Sequence, residues 1–196
     1  MTKHVLSAAG MLLLATCSSP QLPVDVYTLL EPAALADPAP QTVADTMVLV
    51  PEAAAYGVFA EQTLIERRGL RLVRDAYRVW SPRPTQMLSL GLADALSKNG
   101  IAASARSVGD ARWALQTTIR DWSYERSADG LTARVEIEAQ LVDIERRTTL
   151  CRQRFVRTTP AASDSYDALM AAFKESLDGM CADCVQAVKP FLAKAE

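Results

Sequence analysis

Between positions 113 and 157 the sequence alternates apolar and polar residues with a period of two, and this feature most constrains the fold. Leu131, Ala133, Val135, Ile137, Ala139, Leu141 and Asp143 fall on one side of the run, and Thr132, Arg134, Glu136, Glu138 and Gln140 fall on the other. Successive strand side chains point to opposite faces, so such a segment buries one face and leaves the other wet. Trp113, Leu115, Thr117, Ile119 and Asp121 alternate in the same way ahead of Ala128-Asp129-Gly130, which has the chemistry of a hairpin turn. Arg146-Arg147-Thr148 then turns the chain into a third run over residues 149–157. The pattern predicts an antiparallel meander.

Two stretches carry a different period. Over residues 85–99, Met87, Leu88, Leu92, Ala95 and Leu96 form the stripe of an amphipathic helix, with Thr85 or Ser81 as its cap and Asn99-Gly100 as its stop. Ser163-Asp164-Ser165 offers a second cap, after which Tyr166, Leu169, Met170, Phe173, Leu177, Met180, Cys184, Val188 and Phe191 recur at three- and four-residue steps. Gly179 is a place where that helix could be interrupted. Shorter signals complete the plan. Residues 47–50 before Pro51 suit a buried strand, residues 63–66 and 70–73 flank Arg67-Arg68-Gly69 as a hairpin, and residues 101–105 suit a short strand. The expected fold class is α+β, an antiparallel β-sheet with two amphipathic helices packed on one face in a two-layer sandwich.

The chain begins differently. Lys3 and His4 precede an apolar run over residues 5–14, too short for the roughly 20 residues that span a bilayer, and then comes Leu14-Ala15-Thr16-Cys17. This reads as a lipoprotein signal peptide over 1–16, with Cys17 as the lipidation site. An ordinary cleaved signal or a buried apolar helix is the alternative. Residues 17–45, with Pro20, Pro23, Pro32, Pro38 and Pro40, read as a proline-stiffened tether in which residues 26–30 could form an edge strand. A single domain follows over 46–196.

Composition narrows the chemistry. A net charge of −2 argues against nucleic acid as a partner. His4 is the single histidine and lies in the signal, so the mature chain has no Ser-His-Asp or Cys-His pair and no histidine ligand for zinc. No Gly-rich phosphate loop or metal-binding Asp cluster is present, and no catalytic residue, metal or cofactor is expected. Asp121 with Glu125, and Glu136 with Glu138, read as exposed alternation, as do the basic clusters at Arg67-Arg68, Arg146-Arg147 and Arg152-Gln153-Arg154. Cys151, Cys181 and Cys184 allow a disulfide from Cys151 to Cys181 or Cys184. Cys181-Ala182-Asp183-Cys184 also has redox spacing, although it sits late in a helical pattern. Trp80, beside Pro82 and Pro84, could be a surface anchor for a partner.

In order, the lipobox, Val26-Tyr27-Thr28-Leu29, Val48-Leu49-Val50-Pro51, Leu64-Ile65-Glu66-Arg67 and Tyr77-Arg78-Val79-Trp80 before a helix resemble the ABC-type transport auxiliary lipoproteins. These are the paraquat-inducible protein C-like partners of mammalian-cell-entry (MCE) domain transporters. The resemblance covers residues 26–192 and departs from the family's aromatic step by the valine between Arg78 and Trp80. It implies a non-catalytic lipoprotein, with acyl chains such as palmitate on Cys17, at the periplasmic face of the outer membrane; Ser18 after the cysteine fits that sorting. It implies docking to an MCE-domain protein of a lipid transporter; the candidate interface is the sheet edge or the Trp80 region, with Arg78 and Pro82, and a symmetric homo-oligomer is one arrangement. The rival readings are another outer-membrane assembly lipoprotein, serving lipopolysaccharide or secretin assembly, and a periplasmic thiol enzyme using Cys181 and Cys184.

Overall fold

The computed structural model describes residues 23–30, 47–106 and 111–193. The signal peptide, Cys17 and most of the proline-rich stretch lie outside the described residues. In chain order the elements are β1 (Asp25–Tyr27), β2 (Val48–Leu49), β3 (Ala54–Ala55), a 3-10 turn (Gly57–Ala60), β4 (Thr63–Arg68), β5 (Arg71–Trp80), α1 (Pro84–Lys98), β6 (Ala103–Ser104), β7 (Trp113–Ser127), β8 (Gly130–Asp143), β9 (Thr148–Pro160) and α2 (Tyr166–Leu192).

The alternating runs become β7, β8 and β9, paired antiparallel along their lengths. The rest of the sheet departs from the expected antiparallel plan. Along its other edge β7 accepts three strands in parallel: β2 at Trp113 and Ala114, β3 at Thr118 and Ile119, and β4 at Tyr124 and Glu125. β6 lies parallel to β2, and β1 parallel to β5, while β4 and β5 form the expected hairpin. The fold is α+β, but the sheet is mixed and curled into a half-barrel rather than being one antiparallel layer of a sandwich. Two-residue strands are too short to carry a period, which is why their direction could not be read from the pattern.

The helices are unequal neighbours of the sheet. α2 packs on β8 and β9, whereas α1 packs on α2, β6, β7 and the 3-10 turn. The expected apolar stripes are the buried ones: Met87, Leu88, Leu92 and Leu96 in α1, and Leu169, Met170, Phe173, Leu177, Met180, Cys184 and Val188 in α2. Ser165 caps α2 by accepting the Ala168 N–H at 3.2 Å. α1 has no side-chain cap. Arg83 holds the N-cap position with Pro84 next, and the Thr85 hydroxyl donates instead to Glu52 Oε1 at 2.7 Å. α2 runs unbroken through Gly179, where the Arg157 guanidinium lies so close that an added Cβ would sit 3.1 Å from its Cζ.

A bulge in β7 decides which residues reach the core. Ile119 opposes Ile137 but Asp121 opposes Glu136, leaving Arg120 as the extra residue. The one-residue slip turns Asp121 away from the face that Ile119 shares and brings Trp122 and Tyr124 inward.

Candidate functional site

Trp80 ends β5 at the centre of the core, 1% exposed, and is not a surface anchor. Its ring meets Phe173 edge-on with centroids 5.1 Å apart and Trp122 at 6.3 Å, and Trp122 stacks on Phe173 at 6.2 Å. A large aromatic next to two prolines looked suited to the surface. The return of β1 alongside β5, with Tyr27 opposite Trp80, and the arrival of Phe173 from α2 cover it instead. Pro82 follows a cis peptide bond and is half-buried.

Arg78 is committed within the protein. Its Cζ lies 3.6 Å from the centre of the Tyr166 ring, Nη1 donates to Asp75 Oδ2 at 3.1 Å, and Nε is 3.7 Å from Asp25 Oδ2. The Tyr166 hydroxyl meets that of Tyr124 at 3.2 Å. Burial first, and then the hydrogen bond with Tyr166, raise the Tyr124 phenol far above its ordinary pKa, so it stays protonated. The group clasps β1 to β5 and to the start of α2.

The outer face of the meander carries the charges that the sequence suggested were simply solvated. Asp121, 4% exposed, accepts from Arg67 at 2.6 Å, Arg134 at 3.0 Å and Ser123 at 2.6 Å. Glu136, 5% exposed, pairs with Arg134 at 3.0 Å and Arg154 at 2.5 Å. Glu138 bonds Arg120 and Arg152, and these bonds, Arg120 first, hold its carboxyl below the usual range. The network crosses β4, β7, β8 and β9. Its carboxylates are saturated by guanidinium donors, which suits a structural clamp and leaves no carboxyl poised for proton transfer. The signal for the bulge that turns Asp121 outward is the three-residue step from Ile119 to Trp122, which shifts the apolar phase of the run onto Trp122 and Tyr124.

All three cysteines are free thiols, Cys181 and Cys184 buried and Cys151 half-buried. Burial, followed by the neighbouring Cys184, pushes the Cys181 thiol well up; burial, followed by Asp183 and Cys151, pushes Cys184 up to about 12. Thiols held protonated in this way are poor nucleophiles, the reverse of what the redox spacing would require. A cleft of about 420 Å³ opens between α1 and α2, with Leu29, Leu30, Leu177 and Cys181 among its lining and Lys98 and Lys174 at its rim. Gly91 lets the helices approach there, since its Cβ would come within 3.4 Å of Cys181 Sγ. Among the described residues no group of three His, Cys, Asp or Glu side chains is placed to hold a metal, and no helix is long and apolar enough to cross a membrane.

The fold has known counterparts. The crystal structure of a Xanthomonas campestris protein matches with a TM-score of 0.69 at 20% identity, covering 84% of this chain and 94% of that one. The crystal structure of an uncharacterised protein matches with a TM-score of 0.67 at 14% identity, covering 85% of this chain and 99% of that one. At these identities the likeness speaks for the fold alone. No curated protein matches the sequence. The model of the family described as the ABC-type transport auxiliary lipoprotein component matches residues 27–185, from the end of β1 into α2. The chain therefore belongs to the ABC-type transport auxiliary lipoprotein family.

Proposed function

We propose that this protein is a non-catalytic, outer-membrane lipoprotein that serves an ABC-type lipid transporter by docking to its MCE-domain partner across the periplasm. The observation that carries the reading is the family match, which spans nearly the whole described domain and brings with it a lipoprotein, a membrane-anchored periplasmic setting and a transporter partner. The finer points rest on the sequence: Cys17 at the end of a short apolar run as the lipid site, and Ser18 behind it favouring the outer membrane. Saturated carboxylates and thiols with raised pKa values fit a binding module better than an enzyme.

Trp80 is withdrawn as a direct contact by its burial, and Arg78 serves β1 and α2. The docking element that fits best is β9. It is 13 residues long and, among the described residues, pairs with β8 alone, so its outer backbone edge is the one to accept a partner strand, from the MCE protein or from a second copy of the chain in a homo-oligomer.

Purification of the anchored protein from mild detergent, with mass spectrometry of what accompanies it, tests this. An MCE protein with its permease and ATPase is the expected result; outer-membrane barrel or secretion components alone would replace the reading with that of an assembly lipoprotein. A Cys17→Ala form should leave the membrane fraction while keeping its fold. For the cysteines, we propose that a bridge in the periplasm joins Cys151 on β9 to Cys181 or Cys184 on α2, leaving one thiol free. Alkylation after unfolding should then find one thiol among Cys151, Cys181 and Cys184; three would remove the bridge.

A further inference from the structure

The β4–β5 hairpin closes through Gly69 and Leu70, with Gly69 at φ +61, a backbone that suits glycine at the first turn position. The second turn position ordinarily takes a polar residue. Here it holds Leu70, whose side chain is fully exposed, with Leu72 exposed behind it. Arg68 and Arg71 flank the turn. Arg68 reaches back to Glu66 at 2.7 Å, and Arg71 has no carboxylate partner among the described residues. An apolar tip between basic residues has the composition of a segment that sits at a lipid headgroup boundary.

Chain direction places this tip next to the anchor. β1 is parallel to β5 with Asp25 opposite Arg78, so the chain ahead of Asp25 leaves toward the beginning of β5, which is the hairpin turn. Cys17 is eight residues before Asp25, a reach of at most about 28 Å. Leu70 is likewise eight residues before Arg78, a distance of about 26 Å along the strand. A lipid on Cys17 can therefore reach little farther than Leu70. With this end of the domain toward the membrane, the tether is too short to hold the hairpin clear of the surface. The β7–β8 turn shares this end, because β4 runs parallel to β7 with Arg67 opposite Glu125. Asp129 in that turn and the nearby Asp164 are acidic, so contact with anionic phosphates falls to the hairpin.

We propose that the β4–β5 tip is a second membrane contact: Leu70, backed by Leu72, enters the headgroup boundary of the leaflet that holds the Cys17 lipid, and Arg68 and Arg71 meet its phosphates. This rests on the reading of Cys17 as the lipid site. The contact fixes the orientation of the domain, with the hairpin end on the membrane and the β8–β9 turn pointing away from it.

The test uses the full mature lipoprotein in vesicles of phosphatidylethanolamine and phosphatidylglycerol. A polarity-sensitive dye is attached at Leu70→Cys or, at the opposite end of the sheet, at Ile144→Cys, with labelling of the unsubstituted protein as background. The expected result is a blue shift and quenching by headgroup- and acyl-attached quenchers at position 70, with neither at position 144. Arg71→Gln should weaken partitioning of the Cys17→Ala form onto the same vesicles roughly fivefold, the worth of one basic residue at an anionic surface. Equal signals at positions 70 and 144 in a protein whose intact mass shows the lipid on Cys17 would overturn the contact. So would a position-70 dye that stays wet on vesicles and is shielded only by added MCE partner, which would make the tip a protein contact. A mass without the lipid would instead remove the anchor reading, and the geometry that depends on it.

Discussion

The two faces of the meander solve the same problem in opposite ways. The inner face of β7, β8 and β9 offers Ile119, Trp122, Val135, Ile137, Leu141 and Phe155 to the helices, and its cohesion scales with apolar area removed from water. The outer face offers Asp121, Glu136 and Glu138, and its cohesion depends on each carboxylate finding its guanidinium. Area is lost gradually as atoms are removed, whereas a pair fails when one member goes, because the other is left desolvated and unpaired. Removing a whole core aromatic takes away more than one such pair supplies, so the inner face should show the larger single losses, and the outer face the greater sensitivity to salt and to charge-neutral substitution.

Trp122→Ala is the strongest challenge to the inner face. It removes an indole stacked on Phe173 and met edge-on by Trp80, and should cost about 3–5 kcal/mol of unfolding free energy in urea. A loss under about 1 kcal/mol would mean that the aromatic trio is not the centre of the core. Asp121→Asn is the matching challenge outside. It keeps the shape but strips the charge that Arg67 and Arg134 share, and should cost about 2–3 kcal/mol, part of it disappearing in high salt. An unchanged midpoint would show the outer network to be solvated after all.

A third test concerns the buried thiols behind the inner face, in protein kept reduced so that no bridge forms. Cys184 has a folded pKa of about 12 against an ordinary 9.0. A raised pKa means that the folded state holds its proton longer, so stability is full below about pH 9 and falls as the unfolded chain ionises above it. By pH 10 the loss from this group is about 1 kcal/mol, and it grows toward pH 12. Thermal melts from pH 8 to 10.5 should show a steeper alkaline decline in the native sequence than in Cys184→Ala. Parallel declines would assign the effect to other groups.

How much of this was legible in the sequence depends on the length of each signal. The long alternation and the three- and four-residue stripes gave β7 to β9, α1 and α2 close to their observed bounds, because many residues vote for one period. β2, β3 and β6 have two residues each and vote for nothing, so the parallel pairings that make the sheet mixed were not readable. The bulge at Arg120 adds one residue and reverses the facing of all that follows, so the alternation that groups Asp121 with Ile119 does not hold across it. Trp80 was misplaced for a different reason. Its burial depends on β1 and Phe173, partners 53 and 93 residues away, and no local window contains either contact. The histidine arithmetic needed no geometry, whereas the redox spacing of Cys181 and Cys184 could be weighed only against their burial.

The smallest effect tests where the two faces meet. Arg157 lies on β9 two residues from the inward Phe155, and it reaches over Gly179 of α2 to Asp183 at 2.6 Å. Gly179→Ala places a methyl 3.1 Å from the guanidinium carbon, so the arginine must shift. It is the free end of a flexible side chain and half exposed, so the strain can relax, and the ion pair it loosens is worth about 0–1 kcal/mol. Against this stands the gain of up to about 1 kcal/mol from replacing glycine inside a helix. The helix term should win narrowly, giving a small rise in midpoint, and a somewhat larger rise, the helix term without the cost to the ion pair, should appear in Arg157→Ala and Gly179→Ala together relative to Arg157→Ala alone. A clear fall for Gly179→Ala that vanishes in the Arg157→Ala background would show that this guanidinium is held as firmly as those over Asp121. The boundary between an area-driven inner face and a pairing-driven outer face would then have to be moved to the edge strand.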